Sequence, residues 1–415
     1  MRRNGREQVL FMGTYVPEEC GIATFTRDLL LATRTSDRSR EYGCVAVDRS
    51  GKDYTVSPEV RHVVRRNAPE DYLQSAQLIK RNRTSLISVQ HEYGIYGGVS
   101  GDCLLTLLEN VEVPVVSTLH TLSLSPSPSE LDVLQRLCSV SDALVVMSQT
   151  AASLLQQVYH VHGKNVTVIP HGVPNFSHYY DVETERASLG LSGKKVLSTF
   201  GLLSRGKGLE YVIYAMPEIL KVHPDTVYVI IGMTHPSVLA HEGEAYRESL
   251  QLLAERLDVA HAVRFENAYL SLADIVRYLT ATHIYITPYL NQNQIVSGTL
   301  AYALGCGKTI ISTPYLYAKE MLSRGRGILV PNKNADAIAC EANYVFSHPD
   351  ALHIYEQRAY AMGKTMTWSH VGKAYADVFG SVLKEKGRAE LPANLLDIPY
   401  TIYEEPEEDI VPDKH

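Results

Sequence analysis

The chain has 415 residues, of which 45% are hydrophobic and 20% charged, and a formal net charge of −7 at pH 7. That length is too great for one ordinary core, so two domains of roughly 200 residues each are expected of a globular protein. Most of the charge sits in the last dozen residues, where Glu404, Glu405, Glu407, Glu408, Asp409 and Asp413 outnumber Lys414; the nearly neutral remainder argues against a nucleic-acid-binding protein.

Short apolar runs recur, each followed by a loop and a helix-length amphipathic stretch. In chain order the first half holds VLFMGTY (9–15), CVAV (44–47), SLISVQH (85–91), VPVVSTLH (113–120), ALVVMS (143–148) and VTVIPHG (166–172). Strand character is lost over 173–193, where Pro, Gly and polar residues accumulate. The second half then holds KVLSTFG (195–201), VYVIIG (227–232), VRFEN (263–267), IYITPY (284–289), KTIIST (308–313) and GILVP (327–331). Residues 335–386 read as helical, and 388–415 as an acidic tail whose end, 400–415, is expected to be poorly ordered. Continuous apolar character suits strands buried on both faces, and their alternation with helices implies right-handed βαβ units. The fold class is therefore α/β, with two Rossmann-like doubly wound parallel-sheet domains of six strands each, residues 1–173 and 194–365, facing a central cleft.

Six scattered cysteines (20, 44, 103, 138, 306 and 340), with no C-x-x-C pair and no His cluster at zinc spacing, are expected to be reduced and buried, and no metal site is expected. Neither a secretory signal nor a run of about 18 apolar residues is visible, so no integral membrane segment is expected and the cytoplasm is the simplest address.

Loops at the carboxyl ends of the strands point towards the expected cleft. The first runs TYVPEECGIATFTRDLL, placing Gly21 where loop turns into helix: a phosphate can approach free N–H groups there, or the turn simply needs glycine. His91 and Glu92 follow the third apolar run, His120 ends the fourth, and His171 lies at the hinge. In STFGLLSRGKGLEYVI a buried strand runs through Gly201 into a Gly-rich turn carrying Arg205 and Lys207, an anion-binding arrangement that is not a P-loop. In ITPYLNQNQIVSGTLAYALGCGKTIIST, Ser297 is the expected N-cap of an apolar helix opened by Gly298 and Thr299.

Taken together, CGIATFT, the LHT turn, FGLLSRGKGLEYVI and SGTLAYALGCGK resemble the retaining GT-B glycosyltransferases of family 4, the group 1 glycosyltransferases, over roughly residues 8–385. Trp368, Val371 and Tyr375 are similar to that family's C-terminal helix, so a helix at about 366–386 would cross back onto the first domain. The resemblance implies that Gly21 sits beside the donor phosphates, that His120 contacts the transferred sugar, and that Lys207 neutralises the leaving diphosphate. It places the amides of Ser297, Gly298 and Thr299 against the donor. Two departures stand out. The arginine the family carries after the glycine of its second-domain first strand is here Leu202 after Gly201, with Arg205 the nearest substitute. The family's two glutamates before the Gly-rich turn are replaced by Gln294 and Tyr302, the second at the position that normally holds the ribose.

The implied reaction moves a sugar, with retention, from an activated donor (a nucleotide sugar as substrate) to a carbohydrate or other hydroxyl acceptor. Its catalytic residues are His120, Lys207 and Arg205, its donor side Gly21, Gly201, Gln294, Ser297, Gly298, Thr299 and Tyr302, and its acceptor side His91, Glu92 and His171. No metal or other cofactor is expected. Two alternatives stay open: a retaining phosphorylase using sugar 1-phosphate, favoured by the lost ribose glutamate, and a catalytically silent carbohydrate- or nucleotide-binding protein.

Overall fold

The computed structural model describes residues 6–176 and 181–389; side chains of 387–389 and the rest of the acidic tail lie outside this description. The strands are β1 (Gln8–Gly13), β2 (Glu41–Asp48), β3 (Val60–Arg65), β4 (Leu86–His91), β5 (Val115–Leu119), β6 (Ala143–Val146), β7 (Asn165–Val168), β8 (Lys195–Phe200), β9 (Thr226–Ile231), β10 (Val263–Glu266), β11 (Ile284–Thr287), β12 (Thr309–Ser312) and β13 (Ile328–Leu329). They form a seven-stranded sheet ordered β3-β2-β1-β4-β5-β6-β7 and a six-stranded sheet ordered β10-β9-β8-β11-β12-β13. All the ladders are parallel.

The expectation of six strands per domain fails at β3. Its sequence, VRHVVR, breaks its apolar residues with Arg61, His62 and Arg65 because it is an edge strand only partly buried, so it shows no continuous apolar run. The central strands do read as buried throughout: β4 and β5 are covered along their whole length. The thiols are mixed: Cys44, Cys103 and Cys138 are buried, but Cys20 and Cys306 are partly open and Cys340 is exposed.

In each sheet the chain order reverses once, between β1 and β4 in the first and between β8 and β11 in the second. Adjacent crossovers leave on opposite faces there, which opens a crevice at the carboxyl ends.

Helix Trp368–Ala389 belongs to the first sheet's core. Val371, Tyr375 and Phe379 are 1%, 0% and 0% exposed and pack with Val9 and Phe11 of β1 and Leu29 of helix Gly21–Ser36. Tyr375 Oη lies 3.0 Å from Thr118 Oγ1 of β5. The two helices cross closely because Gly372 has no side chain: a Cβ there would lie 2.5 Å from the carbonyl carbon of Ala32. At another contact between the halves, Glu320 of helix Leu316–Met321 accepts from the Gln149 and Thr150 amides at 2.7 and 2.9 Å and from Thr150 Oγ1 at 2.6 Å, capping helix Gln149–Gln157 across the gap.

Overpacking this crossing has a predictable effect. Gly372→Val is expected to destabilise the protein by about 2 kcal/mol, read as a drop of several degrees in the melting midpoint. A midpoint equal to wild type would show that the helices are not held at this separation.

Candidate active site

The cleft between the sheets has a volume of about 770 Å³. On one wall, β1 leads into helix Gly21–Ser36, whose N-cap is Cys20: its Sγ accepts from the Ala23 amide at 3.3 Å. Gly21 opens that helix with no atom within 4 Å of where a Cβ would stand, so its N–H is accessible from the cleft. On the facing wall, Ser297 caps helix Gly298–Gly305, its Oγ accepting from the Leu300 amide at 3.3 Å. A Cβ on Gly298 would stand 2.9 Å from Nε2 of His171, so only glycine lets the helix end and the imidazole meet. Two helix N-termini, one from each half, thus open on the same space, and each favours negative charge.

Lys207 supplies the full charge. It ends the short turn Arg205–Lys207 after β8 and is followed by Gly208 at φ 63°, where a Cβ would lie 2.3 Å from the Pro288 carbonyl oxygen. The Lys207 ammonium stands 3.9 Å from the centre of the Tyr289 ring, which holds it by cation–π attraction. Tyr289 Oη in turn lies 2.7 Å from Thr299 Oγ1.

His120 directly follows β5, and its Nε2 pairs with Gln90 Oε1 at 3.0 Å. With Nε2 as donor, Nδ1 is left as an acceptor. Burial, and then the neighbouring His171 and His91, push its pKa down to about 3. Burial lowers His171 to about 4, against the opposing pull of the Gly172 carbonyl 2.8 Å from its Nδ1. His235 is also lowered, by burial and by Arg49 and Lys207. These imidazoles are neutral at pH 7, able to hydrogen-bond hydroxyls without adding charge. Burial raises Glu92, opposed by the Gly94 amide at 2.8 Å and by Arg49 and Arg66.

Of the residues singled out from sequence, the cleft is lined by Gly21, Glu92, His120, His171, Gly201, Lys207, Gly298, Thr299 and Tyr302. Four lie elsewhere. Arg205 turns outward, 60% exposed, to pair with Glu242 at 3.1 Å over the Tyr246 ring, away from the cleft lining. His91 is fully buried among Tyr93 and Tyr96 with neither ring nitrogen bonded. Gln294 folds back to donate to the Val296 carbonyl at 2.7 Å. Ser297 stands behind the lining as the cap.

Sequence reading missed Phe25, Arg27, Arg49, His235 and the Ala268–Leu272 turn, all of which line the cleft. His235 and the 268–272 turn follow β9 and β10, so the strand-end rule that found His120 could have found them. Arg49 follows β2 by the same rule, whereas Phe25 and Arg27 lie inside a helix and carry no such signal.

Comparison with known proteins agrees with this geometry. Residues 181–362 match the family model described as Glycosyl transferases group 1, and residues 28–175 that described as Glycosyltransferase Family 4. The chain belongs to this family. The likeness extends to the D-inositol 3-phosphate glycosyltransferase of Segniliparus rotundus, 25% identical over 65% of this chain and 61% of that protein. The same named protein of Corynebacterium jeikeium is 29% identical over 52% of this chain and 54% of its own length. The matched region thus spans less than two thirds of these curated relatives. Among solved structures, sucrose-phosphate synthase from Thermosynechococcus elongatus superposes with a TM-score of 0.73 at 16% identity, over 92% of this chain and 100% of that one. HepE from Anabaena, solved with UDP and glucose, gives 0.73 at 16% identity over 90% and 100%. At those identities the structures establish the GT-B fold of the family member.

The buried imidazoles make stability depend on pH. His91 and His171 stay neutral in the fold down to about pH 4, while in the unfolded chain they take up protons below about pH 6.5. Their folded pKa values are depressed, so stability is intact above pH 6.5 and is lost as pH falls, by about 2 kcal/mol for each at pH 5. The melting midpoint is expected to hold between pH 7 and 8 and to fall steeply from 6.5 to 5, with a shallower fall in His91→Phe. An identical slope in that variant would refute the assignment of His91.

Proposed function

We propose that the protein is a retaining glycosyltransferase that moves a sugar from a nucleoside diphosphate donor to a hydroxyl acceptor. The observation that carries the reading is the Lys207 ammonium facing a cleft onto which two helix N-termini open. A departing diphosphate gains negative charge as the anomeric carbon becomes cation-like. Lys207 and the amides of Gly21, Gly298 and Thr299 are fixed before the reaction and stabilise that charge without reorganising. Among the described residues, the carboxylates lining the cleft, Glu18, Glu19 and Glu92, all come from the first half, so none of them forms a pair flanking the donor as a nucleophile would require. Retention then follows from front-face attack, with the leaving phosphate accepting the acceptor's proton. Neutral His120 orients the sugar.

The acceptor binds the first-half wall, where Glu92 accepts from hydroxyls and Arg49 offers a positive charge. That charge suits a phosphorylated polyol of the kind for which the curated relatives are named. Lys207 and the helix ends supply the electropositive surface that a metal otherwise brings, so the reaction is metal-independent.

One observation favours a second reading. Tyr302, 8% exposed, stands between the His171 and Phe200 rings, and among the described residues no carboxylate lines the second-half wall. A ribose therefore finds no anionic partner there, which suits a phosphorylase working on sugar 1-phosphate.

A thermal-shift screen of UDP, GDP, ADP and sugar 1-phosphates separates the two. Stabilisation of a few degrees by one nucleoside diphosphate is expected; a response confined to a sugar 1-phosphate would replace the transferase with the phosphorylase. Lys207→Ala should lower turnover at least about tenfold, the loss of roughly 1.4 kcal/mol of transition-state stabilisation. Activity should survive EDTA, and near-normal turnover in Lys207→Ala would remove that residue from the mechanism.

A further inference from the structure

Behind the second-half wall of the cleft lies a buried guanidinium that the chemistry above does not use. Arg247, on helix Ala245–Arg256, is 5% exposed. Its Nη2 donates to the Gly232 carbonyl at 2.9 Å and to Asn267 Oδ1 at 2.8 Å, and its Nε donates to Glu244 Oε2 at 3.0 Å. Glu244 also accepts from Thr234 Oγ1. Gly232 and Asn267 are the first residues beyond β9 and β10. From there the chain enters the two turns that line the cleft, one with Met233 and His235, the other Ala268–Leu272.

Gly232 is held from every side. Its amide donates to the Glu266 carbonyl at 2.8 Å. At φ 139° a Cβ there would lie 2.1 Å from the Gly201 carbonyl oxygen, so its backbone is pressed against the turn that leads to Lys207. That second turn is tied in by the Leu203 amide donating to the Met233 carbonyl and the His235 amide donating to the Leu203 carbonyl, both at 2.9 Å. Burying a guanidinium is costly, and Nη1 has no acceptor among the described residues. Replacing the whole buried pair, Arg247 with Glu244, by apolar residues of similar volume would avoid that cost, so stability alone does not account for an arginine here.

We propose that Arg247 is a positioning residue for the donor. By gripping the Gly232 carbonyl and the Asn267 side chain with one nitrogen, it sets the distance between the β9 and β10 turns and so the shape of the donor half of the cleft. A lysine cannot do this, since its ammonium is a point charge on a flexible stem rather than a planar fork. That the shaped space receives a nucleotide donor rests on the reading above; that Arg247 shapes it does not.

The test needs no identified donor. Hydrogen–deuterium exchange is compared for the ligand-free wild type, Arg247→Met and Asn267→Ala, the last removing one arm should the first fold poorly. Amides of 232–235 and 267–272 are expected to exchange about tenfold faster in both variants, while β8 and β11 keep their protection. With UDP as probe, affinity should fall about tenfold in each variant and no further in the double variant, as linked groups require. Unchanged exchange in the turns, faster exchange across the whole sheet, or unaltered UDP affinity despite loosened turns would each overturn the proposal. UDP failing to bind wild type would count against the nucleotide donor alone, because the exchange signature requires no ligand.

Discussion

The ring of Phe25 is where both walls of the cleft and the returning C-terminal helix come together. It is 3% exposed and meets His120, His171 and Trp368 edge to face, with centroids 4.8, 5.0 and 5.3 Å away. Trp368 fills the space beside Gly172, where a Cβ would stand 2.2 Å from its ring. His171 passes the contact to Tyr302 at 6.0 Å, and Tyr302 to Phe200 at the end of β8 at 6.3 Å. Edge-to-face and tilted rings at such distances are attractive, so one aromatic chain links the two halves across the cleft. The same packing takes the imidazoles out of water and keeps them uncharged. Geometry and charge in the cleft therefore have a single cause.

With the histidines neutral, formal charge is divided between the walls. The second half presents Lys207 and a helix N-terminus with no carboxylate among its described lining residues, while the first half presents Glu18, Glu19 and Glu92 beside Arg27 and Arg49. A wall with a fixed positive charge favours an anion across a space where water screens poorly. Carboxylates on the other wall can take hydrogen bonds from hydroxyls. The division suits the transfer proposed above, with an anion on one wall and hydroxyls on the other. Glu320 spans the halves at a separate point, and its charge is spent on the amides of helix Gln149–Gln157 instead of on the cleft.

Much of this was legible in the residues themselves. Runs such as SLISVQH and IYITPY announce strands buried on both faces, and glycines before amphipathic stretches mark the helix starts, which is why Gly21, Gly298 and Lys207 could be placed on the cleft. The misses have local causes. VRHVVR does not look like a buried strand because one of its edges faces solvent. Arg205 and Lys207 are two residues apart in a turn of the 3-10 type, so they point in different directions, one to Glu242 and the other to Tyr289. His91 and His120 close neighbouring strands, yet the former is one residue short of the turn and its ring is shut among tyrosines.

Alternation of apolar runs with amphipathic helices, together with turn glycines, was enough to specify two doubly wound sheets and a cleft at their carboxyl ends. Those signals act over a few residues and are written in hydrophobicity and backbone freedom. Which side chains enter the cleft, and with what charge, was decided only in three dimensions. Phe25 and Trp368 take their places from partners far away in the chain, and a histidine's protonation depends on how much water its neighbours exclude. Neither long-range packing nor desolvation leaves a local mark in a sequence.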